Sequence, residues 1–179
     1  FTFSEIITKN TAAPEAPGQN MVGPITESGR DSLWLGTMSG LVKYDKMSGN
    51  YTLFPHHYEI YRFGWGKINQ IAKDNLGHFW LASPGGLMRF NLQTKKYDYF
   101  KNDPFDDNSI SDNTISSVHV DKTGILWIGS SGLGINIYNP RANRFASFVN
   151  RGNSKSRGAG FSIRSILVDN TGMVWLGTD

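Results

Sequence analysis

The sequence predicts an all-β chain built of repeated four-stranded units, and three observations carry that prediction. Tryptophans recur at Trp34, Trp80, Trp127 and Trp175, in steps of 46, 47 and 48 residues. Each stands in a near-copy of one stretch, most complete at Asp121-Lys122-Thr123-Gly124-Ile125-Leu126-Trp127-Ile128-Gly129. Around these copies lie short apolar runs separated by glycine-marked turns, and no segment keeps a 3.6-residue apolar spacing over three turns. A nearly constant period of this size marks a repeat architecture, and four short strands per repeat point to β-propeller blades. A β-sandwich, the main structural rival, does not predict such regular internal copies.

The elements follow in order. Phe1-Thr2-Phe3 has the pattern of an outer strand of a preceding blade, and residues 9 to 20 form a Pro/Ala/Gly loop. A blade with its following loop is expected over 21–67, with strands around Val22 and Ile25, at Leu33–Gly36, Gly40–Tyr44 and Tyr51–Phe54. The second, 68–114, has Ile68–Ile71, Phe79–Ala82, Gly86–Phe90 and Tyr97–Phe100. The third, 115–162, has Ile115–Val118, Ile125–Gly129, Leu133–Tyr138 and Phe145–Phe148. A fourth opens at 163 with Ile163–Ile166 and Met173–Gly177 and is cut off at 179. Three full blades do not close a propeller. The expectation is therefore a portion of a larger propeller, or copies that associate to cover open edges.

Each mark of the repeat has a physical reason. In Asp74-x-x-Gly77, Asp121-x-x-Gly124 and Asp169-x-x-Gly172 the aspartate caps a turn while the glycine takes a positive φ. Trp34, Trp80, Trp127 and Trp175 read as core, filling the widening gap between blades. The small residue two places later (Gly36, Ala82, Gly129, Gly177) permits close backbone approach.

Composition narrows the function classes. The net charge is only +3 and the basic residues are scattered, so a nucleic-acid partner is not expected. There is no cysteine, which excludes disulfides, thiol chemistry and thiolate metal sites. No apolar run has the length needed to cross a membrane, and Phe1-Thr2-Phe3 does not open a signal peptide.

The run Ile115-x-x-Val118-x-x-Asp121-x-x-Gly124-x-Leu126-Trp127-Ile128-Gly129, with the second copy at Ile68, Ile71, Asp74, Gly77, Trp80, Gly86-Leu87 and Phe90, resembles the two-component-regulator propeller repeat. The first copy departs from it, with Ser28 at the Asp position and Asp31 at the Gly position. In the third, Gly134-Ile135 is the counterpart of Gly86-Leu87, so that turn is one residue longer. The spacing differs from sialidase Asp-boxes and from quinoprotein repeats. The resemblance implies a sensor: the extracytoplasmic, periplasmic part of an inner-membrane signalling receptor, such as a hybrid histidine kinase or a diguanylate cyclase, in a family of which some members recognise oligosaccharides. Kinase or cyclase machinery is not visible in this chain.

No catalytic constellation emerges, and neither metal nor cofactor is expected. His78 and His119 read as packed or surface residues. Adjacent His56 and His57 point opposite ways on extended backbone, and Asp103, Asp106, Asp107 and Asp112 lack the alternating ligand order of a calcium loop. The expected ligand face is the one carrying the loops 55–67, 101–114 and 149–162 with the turns at Thr37–Ser39, Ser83–Gly85 and Ser130-Ser131. Its aromatic cluster of Tyr58, Tyr61, Phe63 and Trp65 surrounds Arg62, with Asn108, Asn113, Phe161 and Arg164 from neighbouring blades. Tyr61, Arg62, Trp65, Asn113, Phe161 and Arg164 are the candidate ligand residues, since aromatic faces stack on sugar C–H surfaces while Arg and Asn bond hydroxyls. The expected activity is non-catalytic recognition of an oligosaccharide or other small ligand. A protein-binding scaffold is the rival, and a propeller lyase or hydrolase the third reading. The partners expected besides the ligand are the rest of the propeller or another copy of the chain, with a membrane reached only through the parent protein.

Overall fold

The computed structural model describes residues 22–56, 67–148 and 162–178. Among them are fourteen strands and no helix. The strands are β1 (Val22–Glu27), β2 (Ser32–Thr37), β3 (Gly40–Asp45), β4 (Tyr51–Pro55), β5 (Gln70–Lys73), β6 (His78–Ser83) and β7 (Gly86–Asn91). They continue as β8 (Tyr97–Phe100), β9 (Ile115–Val120), β10 (Leu126–Ser130), β11 (Ile135–Asn139), β12 (Arg144–Phe148), β13 (Ile163–Val168) and β14 (Val174–Thr178). They form three antiparallel four-stranded meanders, β1–β4, β5–β8 and β9–β12, and one two-stranded sheet, β13–β14. These are propeller blades, called blades 1 to 4 below. The expected strand at Phe1–Phe3 lies outside the described residues.

The chain divides into two compact units between Ile68 and Asn69. In the first, Leu35 and Val42 form a small core with Val22, Leu33, Tyr44 and Tyr51 packed on it. Trp34 is buried and stacks on Phe54, with ring centroids 5.5 Å apart. Ile68 is fully buried, and a Cβ on Gly36 would stand 2.8 Å from its Cγ2. The glycine after the tryptophan is thus required by an isoleucine pressed against it.

In the second unit β9 packs against β5 and β6 on one side and against β13 on the other. Strands β5, β9 and β13 are the inner edges of successive blades, and side chains bind them together. Asn69 Nδ2 donates to the Ile115 carbonyl at 2.9 Å, and the Val118 amide donates to Gln70 Oε1 at 3.1 Å. Ser116 and Ser117 hydroxyls both donate to the Ile163 carbonyl. Gly129 lies against Ile163, whose Cγ2 would be 2.7 Å from an added Cβ. Inner-strand polar residues are therefore committed to holding neighbouring blades in register.

Between blades 2 and 3 the core is aromatic. Trp80 is 1% exposed and meets Phe100 at 5.6 Å and Tyr138 at 5.1 Å, with the Arg89 guanidinium 5.5 Å from its centroid. The role expected of the other tryptophans is only partly met. Trp127 is half-buried, packed on Ile135, Ile163 and Ile166, whereas Trp175 is 56% exposed. Trp80 is covered because blade 3 lies over it. Among the described residues no sheet covers Trp175, so the same residue in the same turn is not core there.

Strand limits differ from the sequence expectation at several ends, most visibly at the starts of β5 and β11. β5 begins at Gln70, two residues after Ile68, and Leu133 lies in the β10–β11 turn and is 42% exposed. The turn between the third and fourth strands repeats as well. Gly49 (φ +72°), Lys95 (+59°) and Asn143 (+48°) hold the same left-handed position. Lysine pays the Cβ penalty there that glycine avoids. Lys95→Gly is expected to raise stability by about 0.5–1 kcal/mol, checked as a higher urea midpoint with an unchanged slope.

Candidate functional site

The repeated turn that carries the aspartate keeps one plan in blades 2 to 4, with a threonine hydroxyl bond in blades 3 and 4 and a histidine ring bond in blade 2. One carboxylate oxygen caps the turn: Asp121 Oδ1 accepts from the Thr123 and Ile125 amides at 2.8 and 3.1 Å and from the Thr123 hydroxyl. The other, Oδ2, accepts the indole N–H of Trp127 at 2.9 Å. Asp169 does the same with Thr171, Met173 and Trp175. Asp74 binds the Leu76 and His78 amides, the Trp80 indole at 3.0 Å and the His78 ring at 2.9 Å. A carboxylate only accepts, so His78 Nδ1 carries the proton in that bond. Gly77, Gly124 and Gly172 take φ of +85°, +85° and +88°.

These bonds control the acids. For Asp74 burial, the largest influence, pushes the pKa up, but the bonds from His78 and Trp80 outweigh it and hold the carboxyl below the usual range. Asp121 is depressed in the same way, against burial, by Thr123, Trp127 and Ile125. For the exposed Asp169, the hydroxyl of Thr171 and the indole of Trp175 lower it strongly.

In blade 1 the turn departs as its residues do. The left-handed glycine is Gly29 (φ +83°) in place of a residue at position 31. The backbone bridge from Ser28 N to Ser32 O (3.3 Å) remains, matching Asp74 N to His78 O (3.0 Å). Asp31 supplies its carbonyl to Lys46 N, as Gly77 does to Leu92 N. The turn survives because its backbone bonds do not depend on the side chain.

At the other end of the sheets lies the face expected to bind ligand. A hydroxyl ends the second strand and pins the next turn: Thr37 Oγ1 donates to Gly40 O at 2.9 Å, Ser83 Oγ to Gly86 O at 2.8 Å, and Ser130 Oγ to Gly134 O at 3.1 Å. This recurring Trp-x-x-Ser/Thr device is a signal that the sequence reading missed. The β10–β11 turn is one residue longer, with Gly129 opposite Ile135 where Ala82 stands opposite Leu87.

The loop from Lys101 to Thr114 is braced from within. Asn102 Nδ2 donates to Ile110 O at 2.8 Å, and the Asn102 amide donates to Asn113 Oδ1 at 2.8 Å. The Asp103 amide donates to Ser109 Oγ, whose hydroxyl donates back to the Asp103 carbonyl, and Ile110 is fully buried in the core between blades 2 and 3. Asn136 ties the loop to blade 3, accepting from Ser111 N at 2.9 Å. Asp103, Asp106 and Asp112 each accept the backbone amide two residues ahead, so three of the four loop acids are turn caps. Phe105 stands at the tip, 99% exposed. It was not singled out from sequence. A Pro-Phe pair inside an Asp/Asn-rich loop is the signal, because such a loop has no core to receive the ring.

Of the six candidate ligand residues, Tyr61, Arg62, Trp65 and Phe161 lie outside the described residues, as do Tyr58, Phe63 and His57. Asn113 is exposed, with Oδ1 engaged by the loop and Nδ2 without a partner among the described residues. Arg164 is exposed on β13. Both stand near the starts of adjacent inner strands, on the loop face. His56 is 4% exposed. Among the described residues no three His, Asp or Glu side chains converge as metal ligands would.

Residues 109–132 match the model of the two component regulator propeller family. The match spans the end of the braced loop, β9, the Asp121 turn and β10. No curated protein matches the chain. Solved structures do. The extracellular domain of BT4673 from B. thetaiotaomicron, assigned to a one component system, is 22% identical over 93% of this chain and 21% of its own, at a TM-score of 0.71. That of BT3049 from the same organism, assigned to a hybrid two component system, is 18% identical over 87% of this chain and 22% of its own, at 0.70. PorZ, a surface component of the type-IX secretion system of Porphyromonas gingivalis, is 18% identical over 96% of this chain and 26% of its own, at 0.63. The chain thus spans about a fifth to a quarter of the length of these structures, and they share its fold.

Proposed function

We propose that this chain is a non-catalytic, extracytoplasmic sensory portion of a membrane signalling receptor, and that its loop face recognises a glycan. The observation that carries the ligand reading is the braced 101–114 loop. It holds Phe105 fully exposed on a backbone fixed by Asn102, Ser109 and Asn136. A rigid aromatic plane costs little conformational entropy when it stacks on a sugar ring. The open Nδ2 of Asn113 and the exposed Asn108 supply hydroxyl partners on the same loop. The family match at 109–132 supports the sensory class, as does the shared fold with extracellular domains of signalling systems. A lyase or hydrolase is disfavoured because Asn69, Gln70, Ser116 and Ser117 are committed between blades. A protein-binding scaffold is the second reading, favoured by the same exposed ring and by the fold's use in a secretion-system surface component.

The test is a glycan array followed by calorimetry on the full chain. A bound oligosaccharide is expected to lose about tenfold in affinity on Phe105→Ala, with the melting temperature unchanged because the ring packs on nothing. Asn113→Ala is expected to weaken binding as well, with a small loss of stability from the severed Asn102 bond. Sugar binding indifferent to both substitutions would move the site elsewhere. No sugar bound by the array, with Phe105-dependent capture of a purified protein, would favour the scaffold.

A further inference from the structure

The opposite, aspartate-turn end of the second unit carries a cleft of about 400 Å³ between blades 2 and 3, a volume within the range of small-molecule sites. Three features set it apart from the rest of the repeat. First, the position two after the turn aspartate is Thr123 in blade 3 and Thr171 in blade 4, and each hydroxyl bonds its aspartate. In blade 2 it is Leu76, 68% exposed on the cleft wall. A leucine there gives up a hydrogen bond and presents apolar surface to the opening.

Second, among the described residues no side-chain bond bridges the two aspartate turns across the cleft. Between blades 3 and 4, Lys122 Nζ reaches across the turns to Asn170 Oδ1 at 2.9 Å. The equivalent pair between blades 2 and 3 is Asn75 and Lys122. Lys122 is engaged on its other side, and the Asn75 side chain has no bond among the described residues.

Third, the cleft is lined by one basic side chain. Arg141, in the β11–β12 turn, lines it, is exposed and has no acidic partner among the described residues. Asp74 also borders the cleft, but its four acceptor directions are filled by the Leu76 and His78 amides, the His78 ring and the Trp80 indole. It has no lone pair left for a ligand donor.

We infer that this cleft is a second binding site, distinct from the loop face, for a small organic monoanion with an apolar body. The carboxylate would sit on the Arg141 guanidinium and the Asn75 amide, and the body on Leu76, Ile125 and Pro140. Neutral ligands forgo the charge-assisted contact with Arg141, so the anion is preferred.

The experiment is a ¹⁵N-resolved NMR titration of the full chain with phenylacetate, and with phenylacetamide as the neutral isostere. Phenylacetate is expected to shift the amides of Leu76, Gly124 and Arg141 with a Kd of about 1 mM, and phenylacetamide to bind about tenfold more weakly. Arg141→Gln is expected to abolish that preference without altering the other amides. Leu76→Thr restores a hydroxyl for Asp74, so it is expected to keep or raise the melting temperature while weakening both ligands. The inference is overturned if phenylacetate leaves those amides unmoved at 10 mM (about ten times the expected Kd). Equal affinities for the two probes, or binding unchanged in Arg141→Gln, would overturn it as well.

Discussion

Trp80→Ala is expected to cost about 3–5 kcal/mol, the largest loss from any single truncation among the four repeat tryptophans. Trp80 is 1% exposed and contacts residues of two blades. Its removal leaves a cavity lined by Phe100 and Tyr138, deletes the cation–π contact of Arg89, and strands one acceptor of Asp74. Trp175→Ala is the matched control. That ring makes the same indole bond to its aspartate at 2.9 Å but is 56% exposed, so about 1 kcal/mol is expected. Urea denaturation of both variants measures the difference. Equal losses would mean that the tryptophan acts through its turn bond and not through packing between blades.

Asp74→Asn is the second large effect, about 2–4 kcal/mol at neutral pH. The substitution keeps the shape of the side chain but puts an amide donor where the Trp80 indole and the His78 ring both donate. The loss depends on pH with a definite sign. The folded pKa of Asp74 is lowered, so its contribution is fully present above the unfolded value of about 3.9 and disappears as pH falls through the lower folded value. The gap between the natural chain and Asp74→Asn should therefore be constant from pH 7 to about 5 and shrink below pH 4. Asp121 and Asp169 shift in the same direction, so acid unfolding should draw on all three turns. A gap that stays constant down to pH 2 would show that the mutant's loss is steric.

The two predictions concern the same bond from opposite ends, and that bond explains why so much of the fold was legible. Asp and Trp stand six residues apart in each of blades 2 to 4, and the glycine between them takes the left-handed turn. All three requirements are local, so they leave a mark at fixed spacing that needs no knowledge of the rest of the chain. Strand order, the longer β10–β11 turn and the close approach at Gly36 and Gly129 follow from the same register.

The candidate site was less legible because its residues act singly. Asn113 has the composition of a ligand residue, yet half of its amide braces the Asn102 backbone. Nothing in the order of residues separates a bracing asparagine from a binding one. Phe105 has no repeat mark or spacing that sets it apart in the sequence, and only its exposure on the loop that buries Ile110 shows that the ring is left outside. The cleft beside Leu76 arises from two turns about 47 residues apart and from the direction that Lys122 takes.

By itself the sequence determined the all-β repeat, the four-stranded blade, the aspartate-tryptophan turn and the positions where glycine is obligatory, because each depends on contacts within a few residues or on a period that repeats. Tertiary structure alone decided which tryptophan is core and which is exposed, which polar side chains hold blades together, and which loop residues stand free. Those outcomes depend on what lies against a residue from another blade, and the same Asp-x-x-Gly-x-x-Trp motif meets different neighbours at Trp80 and Trp175.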